Sequence, residues 1–417
     1  MDKVLLKKLI LEYQQYVKEI KLQKRDIDIC YQNNYVFVGL RRAGKSYLMY
    51  QCIQYLLEDG CDERAILYMN FEDERLIDFD IHDFDLLKLA FEELYECKPV
   101  FFLDEIQIVE GWEKFVRRLA DTGYHVFVTG SNAKMLSSEI ATTLGGRFSI
   151  LEVYPFSFSE YLTFNNIKLD ENWELKNTSD IVRSFDVFFR MGGLPEVLNI
   201  EEKFKRQWLS GLYNKIYFGD LLSRYSIRND RAIKLLIHKL AESVKQPLSY
   251  NRLANIISSI TGKIKSDTIA DYLSFLEESW LIFSIENYEA RFVERATNKK
   301  YYFIDNGILN LFLMDPNTAL LENLVALYLR KKYKDELFFY NSNVEVDFLL
   351  QESKIAYQVA FSIHDDDTRN REVKALLKLN NYIKLERMII VTMNDECVIR
   401  ESGCEIEVLP IWKLLLL

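Results

Sequence analysis

The segment from Gly39 to Ser46 has the residue types and spacing that bind nucleotide phosphates. It reads Gly-Leu-Arg-Arg-Ala-Gly-Lys-Ser and matches G-x-x-x-x-G-K-[ST] in full. Glycines let backbone N–H groups wrap phosphate oxygens, and a following helix directs its positive N-terminus at them. The Lys45 ammonium would reach the β- and γ-phosphates, and the Ser46 hydroxyl would ligate Mg²⁺. We therefore predict an ATP site formed by Gly39, Arg42, Ala43, Gly44, Lys45, Ser46 and Tyr47.

Two adjacent acids follow a short apolar stretch further along the chain. The stretch is Val100–Leu103, and the acids are Asp104 and Glu105. Ligands of open α/β sheets bind at the carboxyl ends of the strands, so a strand here would deliver both carboxylates to such a site. Asp104 would hold the Mg²⁺ shell, and Glu105 would orient or deprotonate the attacking water. Together with the phosphate loop, this pair predicts a magnesium-dependent ATPase.

Two further segments carry polar groups suited to the same chemistry. Ser131 and Asn132 follow another apolar stretch; either could sense the γ-phosphate, or the pair could form a helix cap and a turn. Arg147 lies on a short glycine loop, where an arginine could stabilise the charge that spreads over the γ-phosphate in the transition state; a surface arginine is the alternative. The candidate catalytic residues are therefore Lys45, Glu105, Ser131, Asn132 and Arg147.

These residues need a sheet to position them, and the pattern up to Val153 predicts one. Short apolar stretches alternate there with longer helical stretches, which is typical of a parallel sheet covered on both faces. A preceding amphipathic helix is predicted over residues 1–24, because apolar residues recur at helical spacing. The predicted strands are Tyr35–Val38, Ala65–Asn70, Val100–Leu103, His125–Thr129 and Ser149–Val153.

The chain beyond Pro155 predicts helices first and a mixed region last. Residues 158–225 are predicted to be helical, with a break near Met191–Pro195. Three helices followed by a β-ribbon then indicate a winged helix-turn-helix, with helices at 231–244, 249–257 and 266–278 and ribbon strands at Trp280–Glu286 and Lys299–Ile304. The last predicted elements are helices Ala319–Tyr333 and Thr368–Lys378, and strands Leu337–Tyr340, Val346–Leu350, Ile355–Val359 and Arg387–Val391.

The charge of the chain argues against nucleic-acid binding over its whole surface. The net charge is −10, from 53 basic and 63 acidic residues. One stretch is basic, with seven basic residues against one acid and hence a local net of +6. Such a stretch is usually a solvated face, and DNA contact is the alternative. Its basic residues are Arg231, Lys234, Lys239, Lys245, Arg252, Lys263 and Lys265.

Cysteine and histidine usage predicts neither a zinc site nor a disulfide framework. The six cysteines are scattered without a C-x-x-C pair, and the chain has four histidines. Met1–Arg25 lacks the apolar core of a signal peptide, and no apolar run approaches ~18 residues. We therefore expect a cytoplasmic protein that makes no membrane contact.

The chain resembles the prokaryotic, STAND-related AAA+-like ATPases that carry a C-terminal nuclease-fold domain of unknown function. The shared motifs are G-x-R-R-x-G-K-S at 39–46, F-L-D-E-I-Q at 102–107, T-G-S-N-A at 129–133, G-G-R at 145–147, Y-P-F-S-F-S-E-Y at 154–161, G-G-L-P-E at 192–196, Y-F-I-D-N-G-I-L at 302–309 and E-N-L-V at 322–325. The resemblance implies that Gly192 to Pro195 lines the adenine from a helical lid. It also implies that Arg147 acts in trans on the ATP of a neighbouring copy.

The last part of the chain is similar to the PD-(D/E)xK nuclease fold. Such enzymes hold a divalent metal with acids and use a lysine to orient the water. Glu322 and Asp347 match the motif, whereas Gln358 stands in place of the second acid and Ala360 in place of the lysine. Glu345 would share a strand face with Asp347, and Lys354 is too far along the strand for a simple swap. We expect a fold retained without nuclease activity.

The predicted fold class is α/β, with four parts. Residues 1–157 form the P-loop AAA+-like domain with its N-terminal helix, and 158–228 form the helical lid. Residues 229–310 form the winged helix, and 311–417 form the PD-(D/E)xK-like domain. The leading hypothesis is an ATPase that uses ATP and Mg²⁺ and couples nucleotide state to a partner. An ATP-regulated nuclease and a slowly hydrolysing nucleotide switch are the alternatives. Candidate partners are DNA, further copies of the chain and a protein client.

Overall fold

The computed structural model describes residues 1–132, 135, 138–169 and 178–417. Ala133 of the T-G-S-N-A motif and residues 170–177 of the expected lid lie outside these ranges. The chain divides into two compact units, Met1–Tyr154 and Pro155–Leu417. The first unit ends within a few residues of the boundary expected at 157, while the other three expected parts share the second unit.

The first unit is built on a five-stranded parallel sheet, which confirms the predicted α/β class. The strands are β1 Asn34–Val38, β2 Ile66–Asn70, β3 Val100–Asp104, β4 His125–Gly130 and β5 Phe148–Glu152, in the spatial order β2-β3-β4-β1-β5. The helices are α1 Lys3–Glu19, α2 Lys45–Glu58, α3 Asp83–Glu92, α4 Trp112–Asp121 and α5 Ser138–Leu144.

Apolar residues on the central strands explain why this sheet is covered on both faces. Every residue of β1 and β3 after the first is buried, so neither strand has a solvent face. Phe102 and Phe127 stack across β3 and β4 with ring centroids 4.7 Å apart. The parallel pairing brings the carboxyl ends of β1, β3 and β4 to one edge, where the phosphate loop begins.

The second unit begins with helices and continues into a large sheet. Its helices are α6 Phe158–Phe164, α7 Thr178–Met191, α8 Pro195–Leu198, α9 Glu202–Lys215, a π-helix Ile216–Ser223, α10 Asp230–Glu242, α11 Tyr250–Thr261, α12 Ser266–Glu278, α13 Phe292–Thr297, α14 Asn306–Leu309, α15 Asn317–Tyr333, α16 Asp366–Tyr382 and α17 Ile411–Leu414. Its strands are β6 Leu248–Ser249, β7 Ile282–Asn287, β8 Asn298–Phe303, β9 Leu337–Asn341, β10 Glu345–Leu350, β11 Ile355–Val359, β12 Arg387–Thr392, β13 Cys397–Glu401 and β14 Cys404–Pro410.

A single nine-stranded sheet crosses the boundary expected at 310. Its order is β13-β14-β12-β11-β10-β9-β7-β8-β6. The ribbon strand β7 pairs in parallel with β9, through Glu286 with Phe338 and Asn287 with Phe339. The Asn287 side chain adds hydrogen bonds to the backbone of Asn341, at 2.7 and 3.0 Å. The ribbon is therefore part of the terminal sheet.

The final hairpin, β13 and β14, has no counterpart among the predicted strands. Most of β13 is exposed, with only Ile399 buried, so it lacks an apolar run. Its turn is Ser402-Gly403, and both residues have positive φ, 53° and 75°. A two-residue turn of this kind matches the twist of an antiparallel pair. The Ser-Gly pair is typical of such a turn, whereas β13 lacks the apolar pattern that predicts a strand.

None of the helices in the described ranges combines the length and the apolar character needed to cross a bilayer.

Candidate nucleotide site

The phosphate loop joins β1 to α2 and contains three residues with positive φ. These are Gly39 at 152°, Arg42 at 64° and Gly44 at 98°. Gly39 also lies against the end of β5, because a Cβ at this position would lie 2.2 Å from the carbonyl oxygen of Val153. A side chain at Gly39 would therefore displace the loop from the sheet.

The Lys45 side chain is buried within this loop. Its Nζ donates to the carbonyl oxygens of Gly39 and Leu40, each at 3.2 Å, and lies 3.6 Å from Glu105 Oε1. The phosphate-loop lysine and the acid at the end of β3 are thus brought together, although they are distant in sequence. Ala43 is buried in the loop, whereas Arg42 and Tyr47 are exposed.

Asp104 is fixed by two hydroxyl groups that the sequence analysis did not select. Tyr68 on β2 donates to Oδ2 at 2.7 Å, and Thr129 on β4 donates to Oδ1. Thr129 also accepts the backbone N–H of Glu105 at 2.8 Å. Thr129 begins the T-G-S-N-A motif and lies two residues before the predicted sensor Ser131, whereas no motif includes Tyr68.

The ionisation of the two acids is shifted in opposite directions. Burial raises the pKa of Asp104, and the adjacent Glu105 charge raises it further, against the hydrogen bonds from Thr129, Tyr68 and Ser46. Burial also opposes ionisation of Glu105, but the Lys45 charge and the Gln107 amide outweigh it and hold the pKa of Glu105 below its ordinary value. The neighbouring Lys45 charge thus favours the ionised form of Glu105, whereas burial disfavours the ionised form of Asp104.

Glu105 has a left-handed backbone conformation and precedes the short 3₁₀ helix Ile106–Ile108. Its φ is 52°, and Gln107 Nε2 donates to its Oε2 at 2.6 Å. Gly130 makes room for that amide, because a Cβ there would lie 2.5 Å from Gln107 Oε1. The position of Gln107 after β3 thus requires a glycine as the last residue of β4.

Arg25 supports the loop from the segment before β1. Its guanidinium is buried and donates to the carbonyl oxygens of Ala43 at 3.0 Å and Tyr154 at 2.9 Å. A single arginine thereby ties the phosphate loop to the end of the unit. No motif marked this residue in the sequence.

The two residues considered as sensors follow β4, at the edge of the sheet that carries the site. Ser131 is buried and Asn132 is partly buried. Val38 and Gly130 are register partners at the ends of β1 and β4, so both sensor candidates leave the sheet beside the phosphate loop. The choice between sensing and capping stays a prediction.

Arg147 lies at the opposite edge of the sheet. Its carbonyl oxygen accepts from Asn34, the first residue of β1, at 3.2 Å, and its guanidinium pairs with Asp121. Since β1 has five residues, roughly 16 Å of strand separates this edge from the phosphate loop. The arginine therefore does not reach the phosphate loop of its own chain.

The Gly192–Pro195 segment is held by contacts within the second unit. Asp305 accepts the N–H of Gly193 at 2.9 Å, and the carbonyl oxygen of Gly193 accepts the N–H of Phe156 at 2.8 Å. A Cβ at Gly192 would lie 2.2 Å from the Asp305 carboxylate oxygens. Packing therefore accounts for the glycines, and the expected contact of Pro195 with adenine stays a prediction.

A lysine does accompany the acids of the terminal sheet, although Ala360 occupies the position where the motif has one. Lys300 on β8 places its Nζ within 3.6 Å of carboxylate oxygens of Glu322, Glu345 and Asp347. Lys354 sits instead in the turn before β11, with φ 52°. The sequence could not show this because the lysine comes from the ribbon, outside the motif.

The first unit's residues fit a nucleotide with magnesium. The Ser46 hydroxyl and the Asp104 carboxylate lie close enough to interact, and Mg²⁺ at phosphate sites takes one or two protein oxygens together with phosphates and waters. Among the described residues there is no group of three or more His, Cys, Asp or Glu side chains arranged to hold a metal alone.

The fold and this site define a P-loop ATPase, and comparison with known proteins agrees. Residues 31–162 match the AAA domain family, and residues 183–319 match a domain of unknown function (DUF8612). The chain is 35% identical to uncharacterized protein MJ1544 of Methanocaldococcus jannaschii, covering 99% of this chain and 95% of the relative. An uncharacterized protein of Haemophilus influenzae is 32% identical, covering 91% of this chain and 94% of that protein. The chain belongs to the family of these proteins.

The matches among solved structures are more distant. The Walker-type ATPase PABY2304 of Pyrococcus abyssi is 14% identical with a TM-score of 0.43, covering 75% of this chain and 95% of that one. AMPPCP-bound DnaA from Aquifex aeolicus is 16% identical with a TM-score of 0.26, covering 65% and 87%.

Proposed function

We propose that the chain is a magnesium-dependent ATPase whose hydrolytic residue is Glu105. The proposal rests on the approach of Lys45, Asp104 and Glu105 at one edge of the sheet, with Lys45 Nζ 3.6 Å from Glu105 Oε1. Lys45 and the loop N–H groups would bind the phosphates, and Ser46 with Asp104 would hold Mg²⁺. Magnesium bound there supplies positive charge to the phosphate oxygens.

The contacts of Glu105 favour a role in positioning water. Its lowered pKa keeps it ionised at neutral pH, so it can accept a hydrogen bond from water. Gln107 and Lys45 hold its two oxygens in defined directions. Asp104 is oriented by Tyr68 and Thr129 and interacts with Ser46, the other proposed metal ligand, so it is the better placed of the two acids to serve a metal.

Two substitutions separate phosphate binding from hydrolysis. Lys45→Ala should abolish ATP binding, whereas Glu105→Gln should keep ATP affinity and lose most turnover, because water positioning matters in the transition state. Calorimetric titration with ATP and a phosphate-release assay measure the two effects. The exposed Lys114→Ala and Glu110→Gln are matched controls. Normal turnover by Glu105→Gln would contradict the role of Glu105, and tight binding with negligible turnover by the wild type would favour a nucleotide switch.

We also propose that residues 229–310 form a winged helix that contacts DNA phosphates. Support comes from the order α10, β6, α11, α12, β7 and β8, with β6 and β8 paired antiparallel. Lys263 and Lys265 are exposed on the loop that precedes α12. The outward residues of α12 include Asp267 and Asp271, and the helix has no Lys or Arg. This charge pattern disfavours base reading by α12 and limits the contact to phosphates.

Charge reversal on that loop tests the DNA proposal. Lys263→Glu with Lys265→Glu should weaken binding of duplex DNA at low salt by at least about tenfold, and should flatten its salt dependence, because fewer counterions are released. Fluorescence anisotropy at several salt concentrations measures both. Lys374→Glu with Lys378→Glu makes the same charge change on exposed positions of α16. Equal affinity of the two double variants would exclude the loop as the DNA contact.

A further inference from the structure

A fully buried lysine lies among the acids of the terminal sheet. The Lys300 side chain has 0% exposure, and its Nζ is 3.3 Å from Asp347 Oδ1, 3.5 Å from Glu322 Oε1 and 3.6 Å from Glu345 Oε1. These residues come from β8, α15 and β10. Three elements that are distant in sequence therefore meet at one ammonium group.

The carboxylates around Lys300 are fixed by other contacts. Tyr302 donates to Glu322 Oε1 at 3.0 Å, and the backbone N–H of Val359 donates to Asp347 Oδ2 at 2.9 Å. Gln358 accepts the N–H of Asp347 at 2.9 Å, which continues the pairing of β10 with β11. Gln358, which stands where the motif has an acid, thus binds the backbone of Asp347 through its side-chain oxygen.

We propose that the Lys300 ammonium is the resident cation of this cluster and takes the place of a divalent metal. A metal bound by Glu322 and Asp347 would need their oxygens at about 2.0–2.6 Å. The oxygens that it would use are the ones that face Lys300. A buried ammonium without its carboxylates would be strongly unfavourable, so the lysine and a metal compete for the same position.

The electrostatics of the cluster agree with a charged lysine. Burial alone would lower the pKa of Lys300, but the three carboxylates outweigh it and raise the pKa above its ordinary value. Burial also raises the pKa of Glu322 to about 7, against the opposing effect of Lys300. The close approach of the ammonium to Glu322 and Asp347 therefore stabilises the charged lysine in spite of its burial.

Removal of the lysine charge should create a metal site. In Lys300→Met, the side chain keeps its bulk and the carboxylates lose their cation. Titration with Mn²⁺, followed by the loss of the free-ion electron paramagnetic resonance signal, should show an additional Mn²⁺ equivalent relative to the full-length wild type. The double variant Lys300→Met with Asp347→Asn should lose it. Any Mn²⁺ bound near Asp104 is common to all three proteins and cancels in the comparison.

A stability measurement keeps the test decisive if Lys300→Met folds poorly. Mn²⁺ should then raise the melting temperature of Lys300→Met or restore its folding. In the double variant, Mn²⁺ should change the melting temperature only as much as it does in the wild type. Two results would overturn the proposal. One is an Mn²⁺ site in the wild type that disappears in Asp347→Asn, with or without metal-dependent cleavage of DNA. The other is a Lys300→Met variant that binds no more Mn²⁺ than the wild type and gains no stability from it.

Discussion

At the scale of single residues, the hydroxyl of Thr129 connects the two acids of the nucleotide site. It donates to Asp104 and accepts the N–H of Glu105, and the residue has no exposed surface. One side chain therefore orients the proposed metal ligand and the backbone of the proposed hydrolytic residue. Because both of its partners are buried, loss of the hydroxyl leaves each of them with an unsatisfied hydrogen-bonding group.

We predict that Thr129→Val lowers both stability and turnover. The isosteric change removes only the hydroxyl, and the free energy of unfolding should fall by about 1–3 kcal/mol. Turnover should fall more than ATP affinity, because the acids act after the phosphates bind. Urea unfolding and phosphate release measure these effects, with Thr129→Ser as the control that keeps the hydroxyl. If Thr129→Val hydrolyses ATP like the wild type, the hydroxyl does not position the acids.

At the scale of elements, Asp305 joins the Gly192–Pro195 segment to α14. Besides Gly193, its carboxylate accepts the N–H of Ile308 at 3.1 Å and so caps α14. Burial raises the pKa of Asp305 to about 6, against the lowering effect of these N–H groups. Since the folded-state pKa is above the unfolded value of 3.8, the associated stability is fully present below about pH 4.

We predict that Asp305→Asn removes part of the pH dependence of stability. The Asp305 contribution should be lost as pH rises from about 4 to about 6, and a shift of roughly two pKa units corresponds to about 3 kcal/mol. As pH rises over this range, the free energy of unfolding of the wild type should therefore fall relative to that of Asp305→Asn. Urea unfolding at several pH values measures it. The exposed Asp315→Asn controls for the loss of a carboxylate, and an identical pH profile for Asp305→Asn would contradict the prediction.

At the scale of the whole molecule, the position of Arg147 bears on assembly. The arginine lies at the edge of the sheet opposite the phosphate loop, so a catalytic role would require the ATP of another copy. Such an arrangement completes each active site with a residue from its neighbour. The homo-oligomer with a trans-acting arginine, which the family resemblance implies, stays a prediction, and a surface arginine paired with Asp121 is the alternative.

We predict that Arg147→Ala slows hydrolysis by roughly 10³-fold while ATP affinity changes little, as expected for an arginine that meets transition-state charge. Arg117→Ala is the matched control, because Arg117 also pairs with Asp121, at 3.5 Å. Mixing Arg147→Ala with Glu105→Gln should restore some turnover, since mixed interfaces can join an intact arginine to an intact glutamate. Phosphate release from the mixture measures this, and two inactive variants that never complement each other would contradict action in trans.

The sequence by itself determined the five strands and the first helix of the first unit, and it marked the candidate residues of the nucleotide site. Buried parallel strands must be continuously apolar, so β1, β3 and β4 are visible as runs of residues. The phosphate loop and the Asp104–Glu105 pair are equally visible, because their chemistry depends on residues adjacent in the chain.

Only the tertiary structure decided which distant residues support these motifs. Thr129 and Arg25 each make two hydrogen bonds to residues of distant segments, and the sequence alone does not show which residues these partners are. Lys300 meets the acids of α15 and β10 because β7 joins the ribbon to β9 in one sheet. The pairing of strands from distant parts of the chain sets these positions, and spacing along the sequence does not encode it.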